Sequence, residues 1–338
     1  MNFSNDILKE IDAATRESIL KAAEVVGTYP FSPQARSVFA PENITADIKL
    51  LVPTETPIRN RLPRVQGMGQ ASVFKKLTSR LHSNTGGGGI GTNTSVAFAD
   101  AGKPNATSQT FATVAFPYKL LGRSVEVGGL AIAATQGGTG PGSDMLTARE
   151  KTKAVEVMLG EEELIIGGDV NTDANQFDGM GKQITTNSGN AALLSASGIG
   201  AFCNTVYLGG GDPTVLIDNA RQSQAIADAL SATGSIQRAV IGNQGGVIAG
   251  YRVEQILNPI TGTLIDLETS RYVGGNAFLL TEKSAAGENW VQVEELIPMS
   301  RVDVPSSNFS QIRFVLEAEV LDVIGEPFQL VIGGLSLS

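Results

Sequence analysis

The stretch that decides the fold runs from Asp144 to Met180 and reads DMLTAREKTKAVEVMLGEEELIIGGDVNTDANQFDGM. Its first part contains no proline, and apolar residues recur there at the spacing of a helix with one buried side. These apolar residues are Ala148, Val155, Met158, Leu159, Ile165 and Ile166. Ser143 or Asp144 can cap the first turn, and Gly167-Gly168 can end the last one. We therefore predict a helix of about 23 residues, roughly 35 Å long, which needs a long surface to pack against.

The polar residues of this stretch raise two further questions. The run Glu161-Glu162-Glu163 on an amphipathic helix predicts a solvated or interface face. In the loop Asp169–Asn175, oxygen-bearing side chains alternate as they do around calcium, which makes Asp169, Asn171 and Asp173 a weak metal candidate. However, Ala174 stands where the sharp turn requires glycine, and Met180 where a bidentate glutamate belongs. We therefore predict Asx-type turns here and no metal or cofactor.

The composition excludes several classes of protein. The 338 residues are 42% hydrophobic and 17% charged, enough to fill substantial cores. The net charge of −9, with only 25 Lys and Arg, argues against a nucleic-acid-binding domain. The single cysteine excludes an intramolecular disulfide and a cysteine-based zinc site, and it favours the reducing cytosol. The sequence also predicts no secretory signal and no membrane-spanning segment.

Upstream of the long helix, the sequence predicts elements that lack a core of their own. Ser4–Val26 has the pattern of a helix, and the proline-marked segment Thr28–Asn43 that of an extended arm. Between 64 and 127 we predict a long hairpin, with Ala71–Lys76 as its outgoing strand and Gln109–Phe116 as its return. The polar, glycine-rich residues between these strands favour a projecting element.

Downstream, the pattern changes to shorter elements. Asp212 and Pro213 can begin a second helix, which we predict over Thr214–Leu230. The Ser, Asn and Gly residues before Gly211 predict irregular structure. Short strands are then predicted at Ala239–Gly242, Tyr251–Leu257, Leu264–Leu267, Ala277–Leu280, Val291–Ile297, Ile312–Val323 and Phe328–Ile332.

The residues most often used in catalysis do not assemble into a site. His82 is the only histidine and is predicted to lie in the hairpin, so a nucleophile–histidine pair has no second candidate. Cys203, between Phe202 and Asn204, is expected to be a small buried residue and not a nucleophile. Gly86–Gly91 matches a dinucleotide-binding pattern, but neither the required strand nor the required helix flanks it. We therefore predict no catalytic or cofactor-binding residues, and we expect Trp290 in the core.

The order of these elements resembles the major capsid protein of tailed bacteriophages, with the Hong Kong-type capsid fold. The segment VPTETPIRNRLP (52–63) is similar to the entry into that family's extended E-loop. The segments LIIGGD (164–169) and FDGM (177–180) are similar to the end of its spine helix and the following loop. The resemblance in element order extends over nearly the whole chain.

This resemblance implies an α+β structural protein that self-assembles as pentamers and hexamers into an icosahedral head shell. The shell would enclose double-stranded DNA without sequence-specific binding, and it would form in the host cytoplasm and persist in the virion. Portal, scaffold and decoration proteins are implied partners, whereas membranes and enzymatic activity are not implied. The implied divisions are an N-terminal helix and arm (1–63), the E-loop hairpin (64–127), a peripheral domain with the spine helix (128–189), an axial domain (190–287) and returning C-terminal strands (288–338).

Other interpretations stay open at the level of sequence. An encapsulin-like bacterial compartment shares the implied fold. A calcium-binding surface protein or a hydrolytic protein centred on residues 169–175 is an alternative of another class. Some members of the resembled family join the E-loop to a neighbour by a Lys–Asn isopeptide bond. Lys75, Lys76 or Lys103 with Asn308 could supply the two groups, but no motif fixes a pair.

Overall fold

The predicted long helix is present and extends over Met145–Gly167 in the computed structural model. The structure describes residues 54–77, 100, 102–103, 111–136, 145–232, 239–241, 247–249, 253–305 and 309–337. The helix predicted over Ser4–Val26 and the arm Thr28–Asn43 lie outside these residues, as does most of the segment between the two hairpin strands.

Helices and strands alternate in an α+β arrangement. The helices are α1 (Pro57–Arg61), α2 (Gly129–Gln136), α3 (Met145–Gly167), α4 (Met180–Gln183), α5 (Ala196–Gly209) and α6 (Ala220–Ala232). The strands are β1 (Arg64–Gln66), β2 (Ala71–Leu77), β3 (Phe111–Pro117), β4 (Lys119–Gly128), β5 (Ser188–Asn190), β6 (Val215–Asp218), β7 (Ala239–Ile241), β8 (Val247–Ala249), β9 (Gln255–Leu257), β10 (Leu264–Thr269), β11 (Ala277–Leu280), β12 (Val291–Val304), β13 (Ser310–Val323) and β14 (Leu330–Gly333).

A four-stranded sheet supplies the long surface that α3 requires. Its strand order is β1-β12-β13-β4. The paired strands β12 and β13 are each 14 residues long, and their register shifts between Glu295 and Ser300. The helix α3 contacts β4 and β13, and its buried end joins a core that also includes Val293 and Leu321.

The hairpin predicted over 64–127 is shorter than expected, because, of its described residues, only 71–77 and 111–117 pair with each other. Strands β2 and β3 pair antiparallel, with Ser72 opposite Phe116, and form a two-stranded ribbon. The flanking segments leave the ribbon, because β1 pairs in parallel with β12 and β4 pairs antiparallel with β13. The two ends of the predicted hairpin thus anchor the ribbon in the four-stranded sheet.

A six-stranded sheet with the order β5-β14-β11-β6-β10-β9 forms the second half of the described fold. Its central strands β11 and β6 are buried along their whole length. The helices α5 and α6 add Cys203 and Ile226 to a core shared with Leu216 and Leu279. The last strand, β14, lies between β5 and β11, so the chain returns to this sheet at its end.

The helix predicted over Thr214–Leu230 is wrong in its first part, where the structure has the strand β6. Val215 to Ile217 pair with β10 on one side and β11 on the other, and β-branched apolar residues suit such a fully buried strand. Asp212 does not cap a helix, because its side chain accepts hydrogen bonds from Asn258, Thr261 and Thr263. The helix α6 begins after Asn219, whose Oδ1 accepts from the backbone N–H of Gln222.

The helix α5 was missed, since its residues were predicted to be irregular. Ser195 caps it by accepting a hydrogen bond from the Gly198 N–H, and Gly210, with φ of 100°, ends it in the left-handed conformation. Ile199, Cys203 and Val206 form its buried side at helical spacing. The high content of small residues concealed this pattern.

The buried side of α3 also differs from the predicted apolar stripe. Ile165 and Ile166 are buried as expected, whereas Met158 is only half-buried. Leu146 and Val157 are buried instead, together with Glu161 and Glu162. No helix among the described residues is both long and apolar enough to span a membrane.

Candidate functional site: the root of the ribbon

Three arginines precede the ribbon within a short segment, and each of their side chains ends among carboxylates. The segment begins with α1, where Pro57 occupies the first turn and provides a helix-compatible φ. Arg59 forms ion pairs with Glu161 and, at 3.8 Å, with Glu317. The segment therefore connects the ribbon to both α3 and β13. We call the residues Arg59, Arg61 and Arg64 and their carboxylate partners the ribbon root.

Arg64 makes the most contacts with the long strands. It pairs with Glu161 on α3, with Glu295 on β12 and, at 3.2 Å, with Glu319 on β13. Burial disfavours the charged guanidinium, but the field of Glu161 and the hydrogen bond to Glu295 outweigh this effect and raise the pKa of Arg64. Arg64 therefore remains charged and fixes three elements around one planar group.

Arg61 points to the six-stranded sheet instead. Its guanidinium donates hydrogen bonds of 2.7 Å to Glu282, 2.7 Å to Asp266 and 3.2 Å to Glu268. Desolvation opposes the charge of Arg61, yet the bonds to Glu282 and Asp266 raise its pKa, and the bond from Arg61 lowers that of Asp266. The ribbon root thus holds both sheets through one short segment.

The expectation that Glu161 to Glu163 form a solvated or interface face is wrong for two of the three residues. Glu163 is exposed, but Glu161 and Glu162 are both 0% exposed. Glu162 accepts hydrogen bonds from the backbone N–H groups of Ile58 and Arg59 and from the Ser270 hydroxyl. These bonds satisfy the otherwise free N–H groups at the start of α1. Desolvation nevertheless raises the pKa of Glu162.

Two more buried carboxylates, Glu317 and Glu319, face the same cluster from β13. They are 1% and 0% exposed, and both oxygens of Glu317 and Oε1 of Glu319 have no hydrogen-bond partner among the described residues. Desolvation and the neighbouring charge of Glu161 raise the pKa of both groups. Sequence reasoning missed these residues. The available signal was two charges in phase with Val315 and Leu321, which lie on the same face of the strand.

The ribbon itself is attached by two polar contacts at its base. The Ser72 hydroxyl donates a 2.5 Å hydrogen bond to the buried Asp322, and the Tyr118 hydroxyl donates one of 2.7 Å to Glu294. Desolvation and the bond to Glu294 raise the pKa of Tyr118 to about 12. Both contacts lead to β12 and β13, so these two strands carry the ribbon.

One face of the ribbon is exposed and carries large apolar side chains beside Lys75 and Thr113. Side chains alternate along β2 and β3, and Phe74 packs against Phe116 on the partly buried face with ring centroids 6.1 Å apart. On the opposite face Val73 is 60% and Phe111 is 61% exposed. Since a two-stranded ribbon has no core to cover such a face, these side chains are available to another protein surface.

The loop after α3 folds back through two close-packed glycines. An added Cβ on Gly168 would lie 2.3 Å from the Phe177 carbonyl oxygen, and one on Gly179 would lie 2.4 Å from that of Leu164. The Gly179 N–H donates to the Gly168 carbonyl oxygen at 2.9 Å. Only glycine permits backbones to approach this closely, which explains the paired glycine motifs at both ends of the loop.

The weak metal candidates Asp169, Asn171 and Asp173 lie in that loop, where Asp169 and Asp173 form the predicted Asx turns. Asp169 Oδ1 accepts from the Asn171 N–H, and Asp173 Oδ1 accepts from the Asn175 N–H. Lys182 pairs with Asp169 at 2.8 Å, and this hydrogen bond lowers the pKa of Asp169.

The remaining candidate residues are scattered over the chain. Cys203 is buried on α5, where desolvation raises the pKa of its thiol to about 11. Lys75 and Lys76 lie on β2, and Trp290 is half-buried against Phe328, with ring centroids 5.1 Å apart. His82, Gly86–Gly91 and Asn308 lie outside the described residues.

Comparisons with known proteins agree with this architecture. The capsid of Myoviridae Phage XM1 is 12% identical with a TM-score of 0.58, and the match covers 91% of this chain and 100% of that chain. The structure from Mycobacterium phage Bobi is 11% identical with a TM-score of 0.55, and the match covers 91% of this chain and 99% of that chain. The holo-SrpI encapsulin complex from Synechococcus elongatus is 11% identical with a TM-score of 0.59, and the match covers 88% of this chain and 94% of that chain. Likenesses this distant show the fold alone.

The chain has the predicted Hong Kong-type fold, which it shares with these tailed-phage capsids. A family model described as SU10 major capsid protein matches residues 25–320. The chain therefore belongs to the SU10 major capsid protein family, and a major capsid protein forms the shell of a virion. No curated protein sequence matches this chain. The family match favours the phage shell over the encapsulin-like compartment and over the protein centred on residues 169–175.

Proposed function

We propose that the chain assembles as pentamers and hexamers into an icosahedral head shell around double-stranded DNA, in the host cytoplasm. The family match to a major capsid protein supports this proposal. The net charge of −9 agrees with enclosure of DNA without tight or sequence-specific binding. In this role the chain acts through its interfaces with other subunits and not through catalysis.

The observation that carries the proposal is the exposure of two large apolar side chains, Val73 and Phe111, on one face of the ribbon. Burying Val73 and Phe111 against a neighbouring copy removes apolar surface from water, and the favourable energy is about 25 cal/mol per Å². The ribbon root holds the base of this element through charged contacts to both sheets. A rigid base allows the ribbon to reach a neighbour without losing its own orientation.

We assign parts of the described chain to the divisions of the family. The ribbon β2–β3 corresponds to the E-loop, α3 with the four-stranded sheet to the peripheral domain, and the six-stranded sheet to the axial domain. The strands β5 and β14 belong to that last sheet. The axial domain would thus begin near residue 188 and would also include residues 330–333. This assignment extends the predicted range of 190–287. Portal, scaffold and decoration proteins remain proposed partners.

The double variant Val73→Ser and Phe111→Ser tests the role of the exposed ribbon face. We expect the variant to fold and to lose shell formation, as judged by its cooperative melt and by electron microscopy. Ile165→Asp is the contrasting variant, because a charge at this 0% exposed position costs several kcal/mol and should unfold the subunit. Shells formed by the double variant at an undiminished yield would contradict the proposal. Nuclease-protected DNA in particles from infected cells would test the cargo.

A further inference from the structure

The ribbon root has more negative than positive charge. Arg59 and Arg64 provide two positive charges, whereas Glu161, Glu295, Glu317 and Glu319 provide four negative ones when ionised. Three of these carboxylates are almost completely buried, so water cannot screen the excess. When Glu317 and Glu319 are both ionised, this buried group carries two uncompensated negative charges, and uptake of two protons or binding of one divalent cation would balance them.

Three carboxylates of the cluster lie close together. Glu161, Glu317 and Glu319 each place a carboxylate oxygen within 4.8 Å of the others. Glu317 is 1% exposed, yet neither of its oxygens has a hydrogen-bond partner in the described part of the chain, and Glu319 Oε1 also lacks one. Buried carboxylate oxygens without partners are rare in folded proteins and require an explanation.

We propose that Glu161, Glu317 and Glu319 form a buried calcium site at the ribbon root. Glu317 would supply both oxygens and Glu319 its Oε1, while Glu161, whose oxygens also accept from Arg59 and Arg64, would supply a second lone pair. Ca²⁺ accepts mono- and bidentate carboxylates in a flexible geometry, whereas Mg²⁺ usually keeps several waters and takes only one or two carboxylates. A set of three carboxylates therefore fits calcium better.

The position of this site gives the cation a structural role. Glu161 belongs to α3, Glu317 and Glu319 belong to β13, and the arginines beside them lead directly into the ribbon. A cation here would hold the helix, the sheet and the base of the ribbon together. Its binding energy would add to the stability of the folded chain, because the three carboxylates come together only on folding.

Thermal unfolding of the full chain tests the site. After treatment with EDTA and removal of the chelator, CaCl2 at about 5 mM exceeds the Kd of weak calcium sites. We expect it to raise Tm by about 2 °C or more, and MgCl2 to raise it less. Bound calcium measured by atomic emission should approach one ion per chain. A change in Tm below about 1 °C, or no retained calcium, would overturn the proposal.

Variants separate a calcium ligand from a merely structural residue. Glu317→Gln removes a buried charge but keeps the shape of the side chain, so without calcium it should melt at the same or a higher temperature than the unsubstituted chain. It should lose both the calcium-induced rise and the bound ion, and Glu319→Gln should behave alike. The matched control Glu163→Gln changes the exposed neighbour on α3 and should keep the full response. A calcium response that survives in Glu317→Gln would contradict the assignment.

Asp173→Asn addresses the other oxygen-rich segment, the loop after α3. Its carboxylate already accepts two hydrogen bonds from Asn175, so this variant should keep the calcium response. Loss of the response in Asp173→Asn, with retention in Glu317→Gln, would move the site to the loop and overturn the proposal. Electron microscopy of the same samples reports shell formation separately from calcium binding.

Discussion

The carboxylate of Glu162 accepts a 2.7 Å hydrogen bond from the backbone N–H of Arg59, which lies 103 positions earlier in the chain. The same side chain accepts from the N–H of Ile58 and from the hydroxyl of Ser270. One residue of the spine helix thereby orients both the segment that enters the ribbon and the strand end beside it.

Substitution of this glutamate should destabilise the subunit strongly. Glu162→Ala leaves two backbone N–H groups at the start of α1 without an acceptor in a buried position. We expect the free energy of unfolding to fall by about 2–3 kcal/mol, measured by urea denaturation of unassembled subunits. The control Glu163→Ala, on the exposed side of the same turn, should change it by less than about 0.5 kcal/mol. Equal losses in the two variants would contradict this role of Glu162.

The stability contributed by Asp218 should decrease as the pH rises. Burial raises the pKa of this carboxyl from 3.8 to about 6, while bonds from Ser223 and Thr269 offset part of the shift. Because the folded state holds the proton more tightly than the unfolded state, the contribution is complete below pH 3.8 and is lost as pH rises through about 6. The loss amounts to about 3 kcal/mol.

Asp218→Asn tests this pH dependence. The neutral amide cannot ionise, so the variant should be more stable than the unsubstituted chain above pH 6, and its stability curve should lack this decline. Glu254→Gln, at an exposed position in the same half of the chain, should leave the curve unchanged. Parallel curves for Asp218→Asn and the unsubstituted chain would show that Asp218 does not titrate in this range.

Two glycines of the spine helix and its loop should respond to alanine with opposite signs. Gly168→Ala forces a Cβ to within 2.3 Å of the Phe177 carbonyl oxygen, and we expect a loss of more than about 2 kcal/mol. Gly160→Ala adds a methyl group that meets no atom within 4 Å, in the middle of a helix. This variant should gain about 0.5–1 kcal/mol. Thermal melts that shift in the same direction would refute the close-packing argument.

The exposed ribbon face should affect assembly and not folding. Phe111→Ser removes an aromatic ring that is 61% exposed, so the Tm of the free subunit should stay nearly constant. The yield of shells in sedimentation and electron microscopy should fall at least severalfold, since aromatic residues contribute strongly to interfaces. Thr113→Ser, on the same face, removes one methyl group and should keep the yield. An unchanged yield in Phe111→Ser would contradict the contact with a neighbour.

Local pattern was sufficient to predict the spine helix and both ribbon strands. The helix has 23 residues with a clear apolar period, and the strands alternate between partly buried and exposed side chains. The same method failed at residues 215–218, because a short apolar run next to a helix is equally compatible with either structure. Residues 215–218 form a strand because they pair with β10 and β11, and those partners are distant in sequence.

The ribbon root could not be predicted from local pattern. A run of glutamates on a helix is normally exposed, and the environment of Glu161 depends on arginines about 100 positions away. Arg59 and Arg61 lie in the family-like phrase at 52–63, and Arg64 directly follows it. The residues around them give no sign that each arginine meets several carboxylates. Charged residues in phase with the buried face of β13 were the most informative signal for this site.

The contact between Arg64 and Glu319 spans 255 positions of the chain. At a translation rate of about 5–20 residues per second, the ribosome needs roughly 10–50 s to synthesise the second partner after the first. The ribbon strands emerge early in this interval, before the anchor at their base can close. Newly made chains therefore expose the apolar side chains Val73 and Phe111 during translation, before the contacts at the base of the ribbon can form. Neighbouring chains on one messenger RNA would pair prematurely if these side chains met.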